Sequence, residues 1–306
     1  MFLPDKVLQG ALDIHAHGSP EFSLKREPRV TNQEWAKLAY QSKMRGFVIK
    51  SHIWPTTGVA LELGEMLPEL EIYGSITINP LIGGFNPTAI EMAAHMGAKV
   101  VWMPTWSAKN DTQKHSITID RIKGLIETFD FAGSTSDEAL SVLDEKENIR
   151  KEVLSVLNVC RKYGLSVASG HIPISHSVKL AKACAETGVK FILTHANSAS
   201  VSAEIVDQKR IVELGGFIEH VMVGTMPMHG RGDLTKVVES VNEIGAEHCV
   251  LSSDAGESWN PPAPELLRMF ISSLLSLGLS EDEVYVMTHD NPASAIGVAK
   301  EWNPYE

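Results

Sequence analysis

Short apolar runs rich in β-branched residues alternate along the chain with longer segments whose apolar positions recur every three or four residues. The first pattern predicts buried strands, and the second predicts amphipathic helices. Eight runs predict strands, at 11–15, 46–50, 71–78, 98–103, 165–169, 190–194, 216–219 and 248–253. Helical patterns lie between them, at 32–45, 57–67, 87–96, 147–163, 177–187, 202–214 and 234–244, and closing helices are predicted at 261–277 and 281–300.

Repeated strand–helix alternation predicts a parallel sheet covered by helices. Eight such units in 306 residues favour a (β/α)8 TIM barrel over a doubly wound sheet. No G-x-G-x-x-G motif follows the first strand, where a dinucleotide-binding fold would need it. We therefore expect one α/β barrel domain that spans residues 1–306.

Two local features modify this picture. The connection 104–146, after the fourth strand, is too long for a simple link and predicts an insertion. It could be a lid over the barrel mouth or an oligomer contact, so a homo-oligomer stays open. Near the end of the chain, Asn291 before Pro292 predicts a helix start with Asn291 as its cap.

Composition narrows the class of partner. The formal net charge of −11 disfavours nucleic acid and anionic membranes, which would need a concentrated basic surface. The three cysteines lack C-x-x-C spacing, and no leader-like segment or uninterrupted run of 18 apolar residues is found. These features predict a cytoplasmic protein that acts on a small-molecule substrate.

Candidate chemistry is concentrated where the predicted strands end. Because the carboxyl ends of barrel strands converge on one face, residues remote in sequence can meet there. Five of the eight ends carry ligand-type side chains: His15 and His17, Lys50 and His52, His171, His195, and Asp254. Imidazole and carboxylate ligands suit zinc and related divalent ions, and a catalytic site leaves one position open for water. Such an ion lowers the pKa of a bound water molecule, and a nearby carboxylate can accept the proton that this water loses.

The order of these motifs resembles the amidohydrolase superfamily of metal-dependent hydrolases. The resemblance is carried by D-I-H-A-H at 13–17, S-G-H at 169–171, L-T-H-A at 193–196, L-S-S-D-A at 251–255 and D-N-P-A at 290–293. It implies that His15 and His17 bind the more buried metal and that His171 and His195 serve a second metal or the substrate. It also implies that Asp254 is both a metal ligand and the proton shuttle.

One departure from that pattern leaves the metal count open. Members with two metals usually carry a bridging lysine carbamate or glutamate at the end of the fourth strand, whereas residues 101–105 here read V-W-M-P-T. Lys50 could supply a carbamate bridge instead, because a lysine of depressed pKa reacts with carbon dioxide. The alternative is one metal on His15, His17, His171 and Asp254, with Lys50 as a cationic substrate contact. Zinc is the expected ion, with manganese, iron or cobalt as alternatives.

Three further residues are predicted to contact substrate: His52, Trp106 and Glu219, the last also a possible metal contact. Glu219 and His220 are adjacent, so at most one of them faces the mouth. The predicted activity is hydrolysis of an amide, cyclic amide, lactone or related ester. A mononuclear decarboxylase is the alternative, with Lys50 or Arg231 holding a substrate carboxylate. A phosphoesterase is also chemically possible.

Overall fold

Eight parallel strands form a barrel in a computed structural model of the chain, which describes residues 3–21, 29–108, 139–198, 201–229 and 232–302. Each strand pairs with the next one along the chain, in the order β1 to β8. The predicted (β/α)8 architecture is therefore confirmed. The strands are β1 (Leu12–His17), β2 (Gly46–Lys50), β3 (Glu71–Thr77), β4 (Ala98–Trp102), β5 (Ser166–Ala168), β6 (Phe191–Leu193), β7 (Phe217–Val221) and β8 (Cys249–Ser252).

Helices connect the strands and cover the outside of the barrel. Those described are α1 (Leu3–Leu8), α2 (Asn32–Gln41), α3 (Thr57–Met66), α4 (Pro87–His95), α5 (Lys151–Tyr163), α6 (Ile174–Thr187), α7 (Ile205–Glu213), α8 (Thr235–Ile244), α9 (Ala263–Ser276), α10 (Glu281–Thr288) and α11 (Asp290–Ile296). Helix α1 was not predicted, because six residues are too few to show a periodic pattern.

The barrel has an inner and an outer apolar layer. Strand side chains that point inward form one buried cluster with the last helix, α11. The outward-facing side chains pack against the surrounding helices in a second, larger cluster. Strands covered on both faces read as nearly continuous apolar runs, which explains why they could be found from the sequence. The inner cluster comprises Leu12, Ile14, Val48, Val100, Trp102, Ala168, Ile192, Val250, Ala293, Ala295 and Ile296.

Helix α11 closes the end of the barrel where the strands begin, and Asn291 acts differently from its predicted role as a cap. The helix begins at Asp290, with His289 at the N-cap position. The Asn291 side chain instead donates to the carbonyls of Ala246 and Cys249, at 2.8 and 2.7 Å. Cys249 begins β8 and Ala246 lies in the short turn before it, so Asn291 satisfies carbonyl acceptors at the entry to β8 rather than helix donors.

The first and last strands meet at their carboxyl ends. The Asp254 N–H donates to the His15 carbonyl at 2.7 Å, and the His17 N–H donates to the Ala255 carbonyl at 2.6 Å. Below these bonds, Asp13 Oδ1 accepts the N–H groups of His15 and Ser253. Burial raises the pKa of the Asp13 carboxyl to about 6. The hydrogen bonds that join the first strand to the last therefore involve the predicted site residues His15, His17 and Asp254.

The inserted segment is described only at its two ends. Ala108 pairs with Leu140, and Leu143 pairs with Ile149. Residues 109–138 lie outside the described residues, so the choice between a lid and an oligomer contact stays a prediction. Within the described ranges, no helix has both the length and the apolar character needed to cross a membrane.

Candidate metal centre

The structure brings together the two histidines of β1 and the aspartate that follows β8. Nε2 of His15 lies 2.9 Å from Asp254 Oδ1, and Nε2 of His17 lies 3.0 Å from the same oxygen. One ligand atom from each of the three residues lies within 4.8 Å of the other two. Two imidazole nitrogens and a carboxylate oxygen in this arrangement could hold a divalent ion.

Buried carboxylates hold the outer nitrogens of both rings. His15 Nδ1 donates to Glu219 Oε2 at 3.0 Å, and His17 Nδ1 donates to Glu21 Oε1 at 2.9 Å. A histidine that binds a metal almost always donates its other ring N–H in this way, which fixes its tautomer and orientation. Both Nε2 atoms are thus directed at Asp254, where an ion would bind.

Five imidazoles form a closed ring around the barrel mouth. Neighbouring ring centroids lie 5.5 Å apart for His15 and His17, and 4.8 Å apart for His17 and His52. The circuit continues from His52 to His171 at 5.8 Å, to His195 at 4.9 Å, and back to His15 at 6.1 Å. All five predicted histidines are therefore gathered at one place by barrel closure.

Lys50 points into the same centre from the end of β2. Its Nζ lies 2.9 Å from His15 Nε2 and 4.6 Å from the centroid of the Trp102 ring. The residue is 1% exposed. Burial lowers the pKa of its amine below the ordinary value, despite the opposing charges of nearby carboxylates, Asp254 first among them.

Charges at the centre favour an ionised Asp254 and cationic β1 histidines in the metal-free protein. Burial opposes charge on Asp254, but His15 and His17 hold its pKa well below the usual range. Burial also opposes charge on His17, but Glu21 and Asp254 raise its pKa to about 9. The pKa of His15 is raised in the same way, against burial, by Asp254 and Glu219.

His195 and His52, two other members of the circle of five imidazoles, are held neutral. Burial, together with His171, lowers the pKa of His195 well below its ordinary value. Burial, together with Lys50 and His17, does the same to the pKa of His52. His195 Nδ1 lies 2.9 Å from Ser198 Oγ, and His52 Nδ1 lies 2.8 Å from Thr105 Oγ1, so each ring is anchored through one nitrogen.

Unusual backbone geometry directs the site residues inward. His195 and Asp254 have φ angles of 33° and 53°, in a region that residues other than glycine rarely adopt. Each lies two residues beyond the end of its strand, so the sharp bend turns its side chain toward the centre. Gly256 lets the next loop pass close to His17, because a Cβ at Gly256 would lie 2.5 Å from the His17 Cβ.

The centre opens onto a cleft between the loops that follow β1 and β8. Its walls include His17, Glu21, Arg29, Asn32, Glu257 and Trp259. Arg29 Nε donates to the Asn260 carbonyl at 3.0 Å, which ties the two loops together. A cleft with aromatic and polar walls beside the cluster is the form that small-molecule sites take.

Comparison with known families accounts for most of the chain. Residues 10–219 match the profile of DUF6282, a family of unknown function. This match covers more than half of the chain. The chain belongs to family DUF6282. No curated protein matches it by sequence.

The DUF6282 chain shares its fold with several solved structures at low sequence identity. An amidohydrolase from Pseudomonas aeruginosa is 9% identical, with a TM-score of 0.59, over 96% of this chain and 97% of that one. A protein provisionally named 2-pyrone-4,6-dicarboxylic acid hydrolase, from Pseudomonas putida, is 13% identical, with a TM-score of 0.57 over 96% and 99%. An organophosphorus hydrolase variant from Deinococcus radiodurans is 15% identical, with a TM-score of 0.54 over 95% and 94%. The predicted resemblance to the amidohydrolase superfamily is thus confirmed at the level of the fold.

The predicted metal residues of this DUF6282 protein divide into two groups. His15, His17 and Asp254 converge within ligand distance, and Lys50 lies beside them. Among the described residues, two sets of three side chains bring ligand atoms within 4.8 Å of one another, and His171 and His195 belong to neither. His171 and His195 instead belong to the circle of five imidazoles around the barrel mouth.

The residues predicted to contact substrate lie in different places. Glu219 is fully buried behind His15, and its Oε2 also accepts the N–H of His195 at 3.2 Å. His220 points the other way, toward Ser240 of α8, as the two-residue period of a strand requires. Trp106 is 9% exposed just beyond β4. Arg231, named for the decarboxylase alternative, lies outside the described residues.

Glu21 is the site residue that sequence reasoning missed. It follows His17 by four residues in a loop, and it also accepts the backbone N–H of His52 at 3.1 Å. The available signal was the H-x-x-x-E spacing next to a suspected ligand, but loop conformation does not follow from spacing alone. Asn79 was missed as well, although it donates to both the His52 carbonyl and Thr105 Oγ1 and so supports His52.

Proposed function

We propose that this protein is a metal-dependent hydrolase that activates water to attack an amide, cyclic amide, lactone or related ester of a small molecule. The observation that carries the proposal is the convergence of His15 Nε2 and His17 Nε2 on Asp254 Oδ1. Support comes from the shared barrel fold of proteins named as hydrolases.

The donor set fits a divalent cation, with zinc as the proposed ion. Two neutral imidazoles and one carboxylate leave a position open, which is the catalytic rather than the structural pattern. The buried carboxylates of Glu219 and Glu21 hold the outer nitrogens, as the partners of metal-binding histidines do. When bound, the ion would supply Lewis acidity, making water a better nucleophile and polarising a substrate carbonyl.

Asp254 is the proposed proton carrier. Its depressed pKa keeps the carboxylate ionised at neutral pH, so it can accept a proton from the attacking water. Its side chain is 15% exposed, which leaves it in contact with the mouth of the site. The same carboxyl group then returns the proton to the leaving group.

His195 is proposed to orient the substrate. Its ring is neutral near pH 7, and one nitrogen is occupied by Ser198, so the other is available to a substrate oxygen. Its position beside His171 places that contact on the side of the mouth opposite His17. The neutral ring of His195 would thus hold the substrate while Asp254 moves the proton.

Lys50 is proposed to react with carbon dioxide. An ammonium 2.9 Å from His15 Nε2 would repel a cation bound to that nitrogen, whereas the buried amine is disposed to lose its proton. The neutral amine adds to carbon dioxide, forming an N–C bond and releasing one proton to solvent. The product is a carbamate, an anionic group beside the cation. Incubation with 13C-bicarbonate should give a carbamate carbon signal that is missing in Lys50→Met, and its absence from metal-loaded wild-type protein would contradict the assignment.

The hydrolase proposal is tested by metal analysis combined with turnover. Protein stripped by a chelator and reloaded with zinc or manganese should retain the ion in stoichiometric amount and hydrolyse members of a panel of lactones and amides. Asp254→Asn should lose at least about 100-fold in kcat, the effect of removing a general acid–base group. The exposed Glu213→Gln serves as a control.

Two results would contradict this proposal. One is protein that retains no stoichiometric metal after reloading, and the other is unchanged turnover in Asp254→Asn. Carbon dioxide release from a carboxylate substrate, without incorporation of solvent oxygen, would select the decarboxylase alternative.

A further inference from the structure

We propose that Glu21 and His52, together with the outer nitrogen of His17, form a second site for a divalent cation. The three side chains bring one ligand atom each within 4.8 Å of the others. Glu21 Oε1 lies 2.9 Å from His17 Nδ1 and 3.6 Å from His52 Nε2. The set of two imidazoles and one carboxylate suits zinc, manganese or a similar ion.

The Glu21 carboxylate is buried, and its second oxygen could still bind a cation. Its side chain is 10% exposed, and its Oε2 has no hydrogen-bond partner among the residues that the structure describes. A buried carboxylate oxygen without a partner is costly, because burial removes its water. A cation bound at this oxygen would remove that cost, whereas the hydrogen bond from His17 uses only Oε1.

The surroundings hold His52 in the orientation that this site needs. Thr105 Oγ1 lies 2.8 Å from His52 Nδ1 and also accepts from Asn79. A hydroxyl oxygen can accept two hydrogen bonds, so it can take the Nδ1 proton of His52 as well. His52 Nε2 then presents its lone pair on the side of Glu21.

His17 belongs to both sites and lies between them. Its Nε2 is directed at Asp254, and its Nδ1 is directed at Glu21. Binding at both nitrogens requires that the ring protons leave to solvent, since metal ligands must be deprotonated. The second ion would thus replace the proton that Glu21 accepts in the metal-free protein. This site uses neither His171 nor His195, and its existence does not depend on hydrolysis.

The experiment counts bound ions per chain. Chelator-treated protein is dialysed against zinc, freed of excess ion, and analysed by inductively coupled plasma mass spectrometry. Wild-type protein should hold two ions, and Glu21→Gln should hold one. His52→Gln provides a second variant with the same expected count, should Glu21→Gln fold poorly. Glu257→Gln is the matched control, because Glu257 lines the same cleft but bonds to Asn260 and should leave the count at two.

The outcomes separate this inference from the hydrolase proposal. A single ion in wild-type protein that survives Glu21→Gln and is lost in Asp254→Asn overturns the second site only. A single ion with the reverse behaviour supports the second site and contradicts the proposed catalytic one. Two ions in both Glu21→Gln and His52→Gln overturn the inference, and no bound ion in wild-type protein overturns both proposals.

Discussion

Replacing Glu219 with glutamine tests whether the buried carboxylate behind His15 tunes the metal centre. Glu219 Oε2 accepts from His15 Nδ1 at 3.0 Å and from the His195 N–H at 3.2 Å. The amide oxygen of glutamine can accept both bonds, so the variant keeps the shape and removes the negative charge. The remaining NH2 group would occupy the position of Oε1, which is buried and has no partner among the described residues.

We expect Glu219→Gln to lower both the metal affinity and the stability of the fold. Removing a carboxylate behind a metal-binding histidine costs about 10- to 100-fold in metal affinity. That range equals about 1.4–2.7 kcal/mol of binding free energy. The unpaired amide should also lower the free energy of unfolding by about 1–3 kcal/mol. The two effects are measured separately.

Zinc affinity is measured by competition with a chromophoric chelator, and stability is measured by urea unfolding of the metal-free protein. Glu213→Gln removes a carboxylate from an exposed position of α7 and should change neither quantity. If Glu219→Gln folds and binds zinc within twofold of wild type, the carboxylate does not tune the centre and the reasoning is refuted.

Three further predictions follow from contacts described above. Gly256→Ala places a Cβ 2.5 Å from the His17 Cβ and should lower hydrolysis about 100-fold, because it displaces that proposed ligand. Gly64→Ala is the control and should retain activity, because no atom lies within 4 Å of the added Cβ. Equal activity of both variants in the same assay would argue against the close approach. In metal-free protein, Glu21 helps raise the pKa of His17 to about 9. The interaction of Glu21 with protonated His17 therefore contributes fully to stability below pH 6.5, and this contribution is lost as pH rises through 9. Urea unfolding should show that Glu21→Gln costs on the order of 3 kcal/mol at most near pH 6 and little above pH 10, and a cost that does not vary with pH would contradict this. Zinc at 1,000 times its Kd should stabilise the fold by about 4 kcal/mol, seen as a Tm that falls after chelation; an unchanged Tm would mean that the folded state does not bind the ion preferentially.

The fold was predictable because barrel strands are buried on both sides and therefore show as apolar runs. The prediction for β2 matches the observed Gly46–Lys50, and the other strands differ at their ends by no more than a few residues. Helix α1 escaped prediction because it is short. The prediction of Asn291 as a helix cap was wrong, because its side chain donates to the carbonyls of Ala246 and Cys249 at the entry to β8. These hydrogen bonds join distant parts of the chain, so local sequence does not reveal them.

The candidate site was predictable to the extent that it follows strand ends. His15, His17, Lys50 and Asp254 lie at the ends of apolar runs or within two residues of them, so the barrel geometry alone places them together. Glu21 could not be found in this way, because its position depends on the path of a loop. The direction of Glu219 depended on which face of β7 is inward, a choice that the adjacent pair with His220 left open.

The seam between β1 and β8 has a consequence for biosynthesis. Asp254 is translated about 240 residues after His15 and His17. Until the last strand is made, the histidines of β1 lack the carboxylate that completes the cluster and the backbone partners that order the seam. An ion at the proposed centre would therefore be fully coordinated only after β8 is synthesised, and translation products that stop before β8 should bind zinc more weakly than the full chain.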